Sequence, residues 1–217
     1  MVESLLVALR HHLVSNAKNR STANDLLSHS VNILCKEIAM INRVVLTGGP
    51  GSGKTSVIEF LNNLGYPSAP EVGRKVIQRQ VRSQGNALPW QDKTAFRDEM
   101  VIEEINNYES FEHIITTFYD RSIIDSYGYS QLESIPISDL LLTKCHELNY
   151  HRNVFIFPPW EFIYENDFER KQDFNEAIAT YHHMLNAYKK FGYELIKVPK
   201  LSVKERAEFI INNLNDS

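Results

Sequence analysis

No run of apolar residues in this 217-residue chain approaches the roughly 18 to 20 needed to cross a bilayer, so no membrane insertion is expected. Cysteine is almost missing. Cys35 and Cys145 stand far apart in no metal or redox spacing, which argues against a disulfide framework and for two reduced thiols in a cytoplasmic protein. Basic residues are in slight deficit, 23 Lys+Arg against 27 Asp+Glu, for a net charge of −4. That balance carries no overall footprint for nucleic acid or anionic membrane, and no nucleic-acid partner is expected. No secretory leader is expected: the apolar stretch Leu5 to Leu9 follows Glu3 where positive charge is wanted, and Arg10-His11-His12 interrupts it. Repeats and low-complexity tracts are absent. What remains is 43% apolar and 23% charged, an ordinary globular mix able to bury a core.

Residues 1–39 read differently from the rest. Apolar positions at Leu5, Leu6, Leu9 and Leu13, and again at Val31, Ile33, Leu34 and Ile38, fit two short amphipathic helices. This stretch is either a helical extension or a mis-called start, since Met40 stands directly before the first strand pattern. From 40 to 217 the pattern is βα alternation. Nearly all-apolar strands at Arg43–Thr47, His113–Tyr119, Asn153–Phe157 and Tyr193–Val198, with an extended segment restarting at Gly65-Tyr66-Pro67, are separated by helical stretches. Strands apolar on both faces imply a parallel sheet covered on both sides, so the expected fold is α/β and doubly wound with five strands.

The strongest signal is Gly48-Gly49-Pro50-Gly51-Ser52-Gly53-Lys54-Thr55, placed between a strand and a helix as a phosphate-binding loop requires. Glycines let successive backbone N–H groups turn toward an anion, and the helix that follows adds its positive end. Residues 48 to 56, through Ser56, are the expected nucleotide site. Lys54 reaches the β- and γ-phosphates, and the Thr55 hydroxyl is a ligand for Mg²⁺. The expected cofactors are ATP and Mg²⁺. A second element, Ile114 to Tyr119, ends in Asp120 at the carboxyl edge of a strand, where α/β sheets collect ligands. A carboxylate there holds Mg²⁺ or takes the proton of an attacking hydroxyl. The plainer alternative is a capping Asp120 with an Arg121–Asp125 surface pair.

Asp120-Arg121 with Ser126 and Tyr129 resembles the Asp-Arg motif of thymidylate and related nucleoside kinases. Four blocks resemble more closely the small AAA-type NTPase family that includes the ribosylnicotinamide kinase domain of the bacterial NAD-biosynthesis regulator. These are Val44 to Thr55; Pro70-Glu71-x-x-Arg74; Tyr119-Asp120-Arg121-Ser122-Ile123-x-Asp125-x-x-Gly128-Tyr129; and Pro158-Pro159-Trp160 through Asp173-Phe174. They span most of residues 43 to 213 and nothing before 40. The resemblance implies that Glu71, Arg74, Arg121 and Asp125 bind an acceptor. It also implies a kinase-like lid at Trp160–Asp173, with Arg170 stabilising charge on the transferred group and Lys171 behind it. Trp160 reads as a packing residue under the loop.

An Asn-Lys-x-Asp guanine-reading sequence is missing, Leu142-Thr143-Lys144-Cys145-His146 being the nearest fragment, and residues 199–217 are too few for the helical lid domain of a hexameric motor. The pairs His11-His12 and His182-His183 read as surface histidines. Two functions fit. One is a Mg²⁺-dependent phosphotransferase acting on a small, nucleoside-like hydroxyl acceptor, with Asp120, Lys54 and Arg170 catalytic. The other is a nucleotide-binding regulatory NTPase, similar to the nucleotide-binding domain of an animal photoreceptor trafficking protein, that hydrolyses slowly and signals through a partner or lipid. Nothing in the sequence specifies an oligomeric state.

Overall fold

The computed structural model describes residues 42–111, 115–164 and 174–215. The expected extension at 1–39 and the expected lid residues Arg170 and Lys171 lie outside the described residues.

The first strand, β1 (Arg43–Gly48), is buried along its whole length. Its side chains alternate between two cores, as a period of 2 demands. Val45 joins Tyr119 and Val154 on one face of the sheet, while Val44 and Leu46 join Phe118, Phe155 and Phe157 on the other. The remaining strands are β2 (Ser68–Ala69), β3 (Thr117–Asp120), β4 (Asn153–Phe157) and β5 (Glu194–Lys197). All pair in parallel, in the order β2-β3-β1-β4-β5. Helices α1 (Lys54–Asn63) and α7 (Val203–Asn215) cover one face through Val57, Leu61, Ala207 and Ile210. On the other face lie α3 (Lys93–Ser110), α4 (Ile123–Leu132), α5 (Asp139–Glu147) and α6 (Phe174–Lys190), through Val101, Ile123, Leu141 and Tyr188. Helix α2 (Val72–Ser83) packs instead on α3, where Val72, Val76, Phe96 and Met100 form a small separate cluster. Full burial stabilises by about 1.5–3 kcal/mol per large apolar side chain, so this double core holds the carboxyl ends of β1 and β3 rigidly in register.

Element ends follow local chemistry. The Asp92 carboxylate caps α3 at Ala95 N (2.9 Å), and Ser138 Oγ caps α5 at Leu141 N (3.3 Å). β4 starts and stops where the pattern implies, and β1 runs one residue further than expected, through Gly48. The strand expected from His113 is described as β3 from Thr117, and residues 112–114 lie outside the described residues.

Candidate functional site

Gly48 ends β1 opposite Phe157 of β4. It has φ 137°, and a Cβ there would come within 2.5 Å of the Phe157 carbonyl. Gly53 stands at the N-cap of α1 with φ 80° and ψ 23°, a left-handed conformation that favours glycine. Between them, the Gly49 carbonyl accepts from Ser52 Oγ (2.9 Å) and from Lys54 Nζ (3.2 Å). Lys54 is buried, whereas Thr55 and Ser56, on the first turn of α1, are exposed. A turn of left-handed glycines opening onto a helix N-terminus is an anion cradle. The segment after β4 leans on this loop. Tyr164 fills the space a Gly51 Cβ would occupy (2.6 Å), Ile163 fills that beside Gly53 (3.0 Å), and Trp160 stacks against Arg206.

Register brings Asp120 to the loop, because Leu46 pairs with Asp120 across β1 and β3 two residues before Gly48. Asp120 is buried, and its Oδ1 has no hydrogen-bond partner among the described residues. Burial is the main influence on its carboxyl and raises its pKa. The Lys54 ammonium opposes that shift, Glu71 adds to it, Arg121 opposes it and Asp125 adds to it. Burial thus holds this acidic group up while the loop lysine draws it down.

Arg121 follows with φ 76°, a left-handed conformation that costs an ordinary residue about 1–2 kcal/mol. Its own bonds hold it there. The backbone N–H donates to Leu46 O (3.0 Å), Nε donates to Glu71 Oε1 (3.1 Å) and Nη1 to Asp125 Oδ1 (3.1 Å). The Arg121–Asp125 pair is therefore a nearly buried clamp, with side chains 15% and 6% exposed, and not a surface pair. Asp125 accepts four donors: Thr47 Oγ1 (2.6 Å), Arg121, the backbone N of Ser122 (3.1 Å) and the Tyr188 hydroxyl. With Ser122 it also forms the capping box of α4. Its oxygens are thus occupied. Glu71, at the N-cap of α2, pairs with Arg121; Arg74 lies one turn on and is exposed. The structure thus joins Glu71, Asp120, Arg121 and Asp125 beside the loop.

One residue that sequence reasoning missed stands among them. Glu104 of α3 is 3% exposed. Burial pushes its carboxyl well above the usual carboxylate range; Asp125 adds to this, the Arg121 guanidinium opposes it, and Asp120 and Glu71 add further. The available signal was a glutamate on the inward stripe of α3 that runs through Phe96, Met100 and Asn107, where helical periodicity asks for an apolar side chain. Among the described residues no three His, Cys, Asp or Glu side chains gather as a metal site, and no helix is long and apolar enough to cross a membrane.

A parallel sheet of this order, with a phosphate loop after β1 and an aspartate closing β3, is that of the P-loop NTPases of kinase-like fold. The family model described as AAA domain matches residues 43–206, and the chain belongs to that family. No curated protein matches it in sequence. Among solved structures, a NadR protein in complex with NR superposes with a TM-score of 0.60 at 14% identity, over 81% of this chain and 52% of that one. The chain thus spans about half the length of that protein. Looser superpositions are found with shikimate kinase from Acinetobacter baumannii in complex with shikimate (TM-score 0.49, 11% identity, 84% and 97% covered). Deoxyadenosine kinase from M. mycoides with bound dATP gives a TM-score of 0.45 at 14% identity, with 80% and 98% covered.

Proposed function

We propose that this protein is an ATP- and Mg²⁺-dependent phosphotransferase whose acceptor is a small, nucleoside-like molecule with a reactive hydroxyl. The observation that carries this reading is the buried, unpartnered Oδ1 of Asp120, set between Lys54 and the Glu71–Arg121 pair. The residues present suit a metal–triphosphate. The loop from Gly48 to Ser56 supplies backbone donors, Lys54 a cation, and Thr55 with Asp120 the oxygens that would hold Mg²⁺. When bound, that ion neutralises phosphate charge.

The chain's own residues do the rest by position and charge. Lys54 holds the terminal phosphates, and its charge opposes the burial that raises the Asp120 carboxyl. Asp120 accepts the proton of the acceptor hydroxyl as it attacks, a contribution of roughly 10²- to 10⁴-fold. Glu71, Arg121 and Arg74 bind the acceptor's polar groups, and Asp125 keeps Arg121 aimed. Arg170 supplies further charge stabilisation to the transferred group.

The test is a screen with labelled ATP and Mg²⁺ against nucleosides, ribosylnicotinamide and water. Stoichiometric phosphorylation of one metabolite is the expected result. Slow phosphate release to water alone, speeded by a partner, would overturn it in favour of a regulatory NTPase.

A further inference from the structure

Arg206 stands in the first turn of α7, which is fixed by a capping box: the Ser202 backbone N donates to Glu205 Oε2 (3.0 Å), and the Glu205 N–H donates to Ser202 Oγ (3.3 Å). Its place is unfavourable on three counts. A cation in a first turn meets the positive end of the helix dipole. The residue is 5% exposed, so its charge is largely stripped of water, and burial accordingly lowers its pKa. No carboxylate among the described residues pairs with it, and its Nε has no partner. A buried arginine without a counter-charge is costly to a fold.

What Arg206 does touch is the phosphate loop. Nη1 donates to the carbonyls of Ser52 and Gly53, each at 3.4 Å, and lies 2.7 Å from where a Gly53 Cβ would stand. The Trp160 ring flanks its guanidinium at 5.5 Å, within cation–π range. In a trans peptide the carbonyl and the following N–H point in opposite directions. Two carbonyls drawn toward Arg206 therefore turn the N–H groups of Gly53 and Lys54 away from it.

We infer that Arg206 is a positioning residue of the phosphate loop whose absent counter-charge is the phosphate chain of the nucleotide: it aims the Gly53 and Lys54 N–H groups and adds positive potential behind them. This rests on the loop's being a nucleotide site, as proposed above. The arrangement exchanges stability of the empty protein for affinity when loaded, and that exchange separates it from a packing role.

The experiment compares Arg206→Met with wild type in the full chain, by melting with and without Mg²⁺–ATP and by calorimetric titration of Mg²⁺–ATP. Expected are an unchanged or higher melting temperature without nucleotide and ATP binding weakened about 10- to 150-fold, the range for losing a charge-assisted interaction. A lower melting temperature with ATP affinity within threefold of wild type overturns the inference, as does loss of neither. If both stability and affinity fall, Arg206→Lys decides: returning affinity supports the role of the charge, and no return assigns Arg206 to packing. Should Arg206→Met not fold, Arg206→Gln takes its place. Wild type that binds no ATP would sink the nucleotide reading itself, whereas loss of binding in Lys54→Ala beside normal binding in Arg206→Met sinks only this inference.

Discussion

The two ends of the proposed site are built from different materials. The phosphate end is backbone: glycines at Gly48 and Gly53 in conformations other residues avoid, one lysine, and an arginine bonded to carbonyls behind the loop. The acceptor end is side chain: Glu71, Glu104, Asp120 and Asp125 around a single guanidinium, that of Arg121. A backbone cradle depends on chain conformation and reads every triphosphate alike, whereas a carboxylate cluster depends on side-chain identity and can select an acceptor. Substitutions at the two ends should therefore separate binding from turnover.

The largest effect is expected at Asp120, which borders both ends. Asp120→Asn keeps the shape and removes the proposed proton acceptor, so turnover on the identified acceptor should fall roughly 10²- to 10⁴-fold while ATP affinity changes much less. Steady-state kinetics beside calorimetry checks this, and turnover surviving within threefold would leave Asp120 a structural residue. Next comes Asp125, which holds the acceptor end together. Asp125→Ala leaves Arg121 short of a buried partner, and breaking such a pair costs about 3–5 kcal/mol; denaturant unfolding should show that loss, and an unchanged midpoint would show the clamp to be ornamental. At the phosphate end, Lys54→Ala removes a charge-assisted contact of about 1.5–3 kcal/mol. It should weaken ATP roughly 10- to 150-fold with little change in the melting of the empty protein.

The smallest effect sharpens the comparison through pH. The Glu104 carboxyl is raised well above its ordinary 4.5 in the folded protein, so the fold prefers it protonated. A raised folded-state value means that its stabilising contribution is complete below 4.5 and is lost as pH climbs through the raised value. Glu104→Gln keeps the neutral form at every pH. Melting temperatures of the variant and wild type should coincide below pH 4.5 and diverge above it, with the variant the more stable. A wild type that is more stable than the variant at alkaline pH would mean that Glu104 is ionised against a partner.

The loop proposed to hold phosphate was legible in the chain, and the geometry of the cluster proposed to hold the acceptor only in part. Gly48 to Thr55 is contiguous, and its glycines announce the conformations they adopt. Asp120 was legible because a carboxylate closing an apolar strand is anomalous wherever that strand packs. Arg121 and Asp125 were legible as residues but not as a clamp, since an i,i+4 pair looks the same on a solvated helix and in a core; the donors that decide the matter, Thr47 and Tyr188, come from positions 78 and 63 residues away. Glu71 and Arg74 were grouped with Arg121 and Asp125 only by resemblance; it is Glu71 that meets Arg121, because β2 and β3 lie side by side with Ala69 beside Tyr119.

By itself, then, the sequence determined everything local: the periodicities that make a parallel sheet, the loop that cradles an anion, the caps that start α3, α4 and α5. Backbone conformation and short-range hydrogen bonding depend on neighbours along the chain, so a linear reading can reach them. Which charges are buried, and which partner each one has, was decided only by the tertiary structure. Glu104 and Arg206 stand in unremarkable charged helices; the energetic weight of a charge comes from the water it loses and the opposite charge it meets, and both are set by elements distant in the chain.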